Sequence, residues 1–139
     1  MRDARLYIAE ILAAADAVQE FVKGMEFDAF LQDDRTSSAV VRKFEIIGEA
    51  SKNVPSGVKE RYLEIPWKEM AGMRDRLIHS YFGVKYDLVW ETIKVVIPKI
   101  KPMIAKVQAD LEKLLVKHQP PRSTRVSHVI CLLFTVDYS

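Results

Sequence analysis

Residues 5–22 read RLYIAEILAAADAVQEFV, and their periodicity decides the fold class. Leu6, Ile8, Ala9, Ile11, Leu12, Ala15, Val18, Phe21 and Val22 recur at spacings of three and four, the signature of a helix with one apolar face. Glu10 and Asp16 interrupt the apolar run, unlike the unbroken core of a secretory signal, so no export route and a cytoplasmic location are expected.

The same period recurs down the chain. Val40, Val41, Phe44, Ile47 and Ala50 mark a second helix over about residues 38–53, with Thr36 or Ser37 as its expected cap and Asp28, Asp33 and Asp34 in a polar connection before it. Gly48 and Ser51 leave room there for a neighbouring helix. Pro55 and Gly57 turn the chain into a short segment at residues 58–62, and a third main helix is expected from Trp67 to His79, ending near Gly83. A last helix opens at Asp87 and runs to Leu115, with a kink or short break near residues 94–98 imposed by Pro98 and Pro102. The reading is all-α: a four- to five-helix up-and-down bundle over residues 1–115.

After His118 the character changes. Gln119-Pro120-Pro121 breaks the pattern, and residues 126–136 are rich in β-branched side chains and read as a strand or tail. Residues 116–139 are therefore set apart as an atypical C-terminal extension without an assigned role. The longest apolar run there, Val129–Val136, is far short of the roughly 20 residues that cross a bilayer as a helix, so no membrane association is expected.

Composition narrows the function classes. The 139 residues are 49% hydrophobic and 29% charged, within the range of ordinary globular domains. The net charge is +2, yet residues 1–115 carry 18 Lys/Arg against 18 Asp/Glu, so no basic stripe of the kind that grips duplex DNA is present in the helical part. A single cysteine, Cys131, excludes an internal disulfide, and no Cys/His spacing resembles a zinc site.

One segment concentrates chemistry: Arg74-Asp75-Arg76-Leu77-Ile78-His79-Ser80-Tyr81. On a continuing helix Asp75 and His79 would share a face, letting the carboxylate fix the imidazole tautomer, and Tyr81 would return to the face of Arg74. Arginine offers a planar fork for phosphate oxygens, histidine titrates near neutrality, and tyrosine supplies a hydroxyl and a ring. These are the parts of a ribonuclease site that needs no metal. From residue types alone a blander reading stays open, with His79 an ordinary helix-end residue and Arg74 in a surface ion pair to Glu69 or Asp75. Glu45 and Glu49 read either as a solvated acidic pair or, for Glu49 beside Gly48, as a support for Arg74.

The Arg74 to Tyr81 segment, an arginine, four residues, histidine, any residue and tyrosine, resembles the motif of the HepT-like branch of the HEPN superfamily. Phe44–Ser51, Ile65–Met70, Tyr81–Val84 and Tyr86–Glu91 are similar to that family's flanking segments, in the same order. The resemblance implies a homodimeric helical bundle whose paired Arg74 and His79 are catalytic on an RNA substrate, with Asp75 and Glu49 supporting them and no metal or cofactor. It also implies a cognate nucleotidyltransferase antitoxin that transfers AMP to Tyr81. The alternative is a non-catalytic nucleotide- or partner-binding subunit of such a nucleotidyltransferase.

Overall fold

The computed structural model describes residues 2–79 and 83–118. They are all-α apart from a two-residue antiparallel ladder. Two compact units are distinguished, Met1–Ala109 and Asp110–Ser139. The described part of the second is the closing stretch of the last helix, and the strand-like reading of residues 126–136, with His128 and Cys131, lies outside the described residues.

Helix α1 spans Ala4–Phe21 and begins at Asp3, whose carboxylate accepts a hydrogen bond from the Arg5 N–H. Its buried face is Ile8, Ile11, Ala14, Ala15 and Val18, while Leu6 and Phe21, read from the sequence with the same apolar set, are exposed. Helix α3 spans Asp34–Asn53 and packs on α1 through Val40, Phe44 and Ile47, all essentially without solvent contact. On its other side α3 meets α5, Trp67–Ala71, and α6, Met73–Leu77.

The polar connection expected around residues 28–34 contains a helical turn of its own, α2, Phe27–Gln32. Phe30 and Phe27 explain it. The Phe30 ring is fully buried, with Trp90 centred 5.1 Å away and Tyr86 edge-on at 6.3 Å, and half-buried Phe27 adds a second ring 5.9 Å from Trp90, so two aromatic anchors order the segment.

Asp33, rather than Thr36 or Ser37, caps α3: its carboxylate accepts from the Thr36 N–H at 3.0 Å and from the Thr36 hydroxyl at 2.7 Å. The backbone bond first, then the hydroxyl, holds the Asp33 carboxyl below its ordinary value of 3.8. Between that value and the lower folded one, the unfolded chain binds the proton that the folded chain refuses, so this contribution to stability is present above 3.8 and is lost as pH falls through the folded pKa. Thermal melts across the acid range should show the wild-type midpoint falling more steeply with pH than that of Asp33→Ala. Parallel curves would mean that the cap does not titrate with folding.

After α4, Ser56–Arg61, the third main helix is broken, contrary to the expectation of one helix from Trp67 to His79. Gly72 closes α5, its N–H bonded to Lys68 O, and α6 stops at Leu77. Ile78 and His79 (β1) instead pair with Val84 and Gly83 (β2), and Lys85 N–H bonds to Leu77 O at 3.0 Å. Gly83 makes this reversal possible, since its φ of +78° is one that other residues rarely adopt.

Helix α7, Tyr86–Glu91, leads into a π-helical turn, Thr92–Val96, and then α8, Ile97–His118. Where the sequence suggested a kink or short break near residues 94–98, the helix runs on through this wider turn. Proline in a helix has no N–H to donate and its ring crowds the carbonyl four residues back. Widening the turn before Pro98, with Ile97 N–H bonded to Thr92 O five residues back, relieves that crowding. Beyond it Ile97, Ile100, Ile104 and Val107 are buried, and Lys101 donates to Gln19 Oε1 at 2.9 Å and pairs with Asp16 on α1. Among the described residues, no helix is long and apolar enough to cross a membrane.

Candidate active site

The site is organised by the approach of α3 to the α5–α6 junction. Gly48 lies at the contact. A β-carbon there would sit 3.4 Å from the Ala71 carbonyl oxygen and 3.5 Å from that of Met70, so α3 presents bare backbone where the neighbouring helices come closest. Arg74, one residue into α6, is held over the same face of α3: its backbone nitrogen is 4.0 Å from the same β-carbon position.

The Arg74 side chain is 65% exposed, with Nε 3.9 Å from Oε1 of Glu45. Glu45, one turn before Glu49, also accepts from Arg42 Nη1 at 3.2 Å, so one carboxylate stands between two guanidinium groups. The ion-pair partners considered from the sequence, Glu69 and Asp75, are not the carboxylate nearest to Arg74 in the described structure. Nor is Glu49, whose Oε1 accepts from Asn53 Nδ2 at 3.2 Å. A pair as exposed as Arg74–Glu45 is worth at most about 1 kcal/mol, so it orients the guanidinium without immobilising it.

Helical phasing ends at Leu77, so the shared-face reasoning for Asp75 with His79, and for Arg74 with Tyr81, does not apply. The ladder replaces it: two residues after α6 ends, the His79 backbone is opposite Gly83. Tyr81 lies outside the described residues. Asp75 is exposed on α6, beside Arg74 in sequence. Among the described residues, no group of three or more His, Cys, Asp or Glu side chains is gathered as a metal would require.

Sequence reasoning assigned Glu45 only to a solvated face and gave Arg42 no role. The available signal was their position on α3: Glu45 is one turn before Gly48, and a helix crossing at Gly48 passes over that turn.

The fold is that of a small helical domain, and the sequence comparisons place it in a family. The family model described as "Ribonuclease HepT-like" matches residues 11–107. A protein of Methanocaldococcus jannaschii named "Putative RNase MJ0125" is 46% identical over 112 residues, covering 81% of this chain and 97% of the relative. "Probable ribonuclease HepT" of Thermococcus cleftensis is 47% identical over 102 residues, covering 73% of this chain and 93% of the relative. A third, "Putative RNase TTE0752" of Caldanaerobacter subterraneus, is 45% identical over 107 residues, covering 77% and 96%. No solved structure matches the chain significantly. The chain belongs to the HepT-like ribonuclease family.

Proposed function

We propose that this chain is the toxin of a toxin–antitoxin pair, an endoribonuclease that cuts RNA without a metal ion, using Arg74 and His79. The observation that carries this reading is the 46% identity with "Putative RNase MJ0125" across 97% of that protein's length. The exposed Arg74 guanidinium in the first turn of the motif helix supports it further.

The chemistry follows from the residue types. The ribose 2′-hydroxyl attacks the adjacent phosphorus and the bond from phosphorus to the 5′-oxygen breaks. The products are a 2′,3′-cyclic phosphate and a 5′-hydroxyl. His79 moves a proton from the attacking hydroxyl or to the leaving oxygen, and Arg74 faces the charge that builds on the phosphoryl oxygens. Asp75 and Glu49 support the site from their positions on α6 and α3. The catalytic domain is residues 1–115, it acts as a cytoplasmic homodimer, and residues 116–139 are an extension.

Control falls to a cognate nucleotidyltransferase antitoxin. The Tyr81 phenol oxygen attacks the α-phosphorus of ATP, pyrophosphate leaves, and an adenylate ester remains on the tyrosine. The motif segment then carries a phosphate and a nucleoside of its own, which compete with substrate.

The deciding experiment is incubation of a mixed RNA pool with unmodified, folded protein in excess chelator, followed by end analysis. Cleavage leaving 2′,3′-cyclic phosphate is expected. Absence of cleavage together with retained nucleotide binding would transfer the site to a non-catalytic subunit of the nucleotidyltransferase.

A further inference from the structure

A groove of about 440 Å³ runs between α1 and α3 and shares Glu45 with the Arg74 site. Its volume is within the range that holds small organic ligands of nucleotide size. One end carries Tyr7 with the Arg2 guanidinium 5.2 Å from the ring centre, a planar cation against an aromatic face. Arg42 and Lys43, consecutive on α3, stand on its wall. Its base includes Ala14 and Ala50, both buried, whose short side chains leave the space open.

Carboxylates also line the groove, and their partners decide what it can accept. Glu10 is bonded by Arg2 at 2.6 Å, Glu45 is flanked by Arg42 and Arg74, and Glu49 accepts from Asn53. Ion pairing offsets the first two charges. A groove with a stacking ring, basic side chains along one wall and continuity with a phosphate-facing arginine has the parts of a single-stranded nucleic-acid track. We infer that it holds the nucleotide of single-stranded RNA one step beyond the two that flank the scissile phosphate, with its base against Tyr7 and its linking phosphate at Arg42 and Lys43. This rests on the ribonuclease reading and extends it to a substrate subsite.

The test compares cleavage of a dinucleotide, which has only the scissile phosphate, with that of a hexanucleotide of the same central sequence. It uses the full chain as wild type, Lys43→Glu and Tyr7→Leu. For the wild type, kcat/KM should rise about tenfold or more from the short to the long substrate. Each substitution should lower the value for the hexanucleotide about tenfold, the scale of one lost base stack or phosphate contact, and leave the dinucleotide unchanged. Lys43→Glu is on a solvent-facing wall and remains decisive if Tyr7→Leu fails to fold. Wild-type cleavage with no length preference, or variants that leave the two substrates unaffected or slow them equally, overturns the groove while the nuclease stands. No wild-type cleavage of either substrate overturns the ribonuclease reading, and the subsite with it.

Discussion

Arg74→Ala lowers kcat/KM for RNA cleavage by about 10²–10³-fold, the scale seen when one preorganised donor is removed from a developing negative charge. Thermal stability changes little, because the side chain is 65% exposed and its ion pair with Glu45 spans 3.9 Å. This separation of effects tests the role sharply. Arg74→Lys keeps the charge but loses the planar fork that matches two phosphate oxygens, so it should recover only part of the rate. His79→Ala should lose about 10²–10⁴-fold, the range for general acid–base help. Single-turnover cleavage in chelator, alongside melting curves, measures both. A rate loss that merely follows the unfolded fraction would reduce Arg74 to a structural residue.

The second large effect lies in a residue with no side chain. Gly48→Val would drive a branched side chain into the Ala71 and Met70 carbonyls, since the first added carbon already stands 3.4 and 3.5 Å from them. The overpacking should cost about 1–3 kcal/mol. The displaced α5–α6 junction carries Arg74, and an error near 1 Å in a catalytic group is enough to lose about 10²-fold in rate. Gly48→Ala gives the contrast. Its lone methyl group meets ordinary contact distances, and alanine gains roughly 0.5–1 kcal/mol over glycine in a helix interior. The valine variant should therefore be destabilised and nearly inactive, and the alanine variant should stay folded and active. Equal activity in the two would show that α3 does not set the position of α6.

Much of the fold was legible because the largest contacts are periodic. The buried faces of α1 and α3 follow from apolar residues three and four apart, and Gly48 marked the close approach because small residues are the only local sign of one. Where the fold departed from the reading, a distant or paired contact overrode local pattern. Phe27 and Phe30 sit in a stretch punctuated by Asp28, Gln32, Asp33 and Asp34, and nothing local says that Trp90 and Tyr86 will meet them. The apolar period of Met73 and Leu77 carries no stop signal, so the end of α6 is visible only once Gly83 and Val84 are seen to pair back.

The candidate residues could be named from the sequence, and their geometry could not. Arg74 and His79 stood out by spacing and chemical type. That Glu45, rather than Glu49, Glu69 or Asp75, lies beside Arg74 depends on the angle at which α6 crosses α3, which no single helix encodes.

The wide turn at Thr92–Val96 also bears on how this chain tolerates changes of length. A π turn holds one residue more than an α turn, so the segment absorbs a residue while the helix on either side keeps its phase. A one-residue deletion within 92–96, made together with replacement of Pro98, should leave the stripe of Ile97, Ile100, Ile104 and Val107 facing inward. The same deletion among residues 99–103 would rotate everything after it by about 100° and turn Ile104 and Val107 toward water. Among homologous chains, single-residue gaps in this helix belong at that turn.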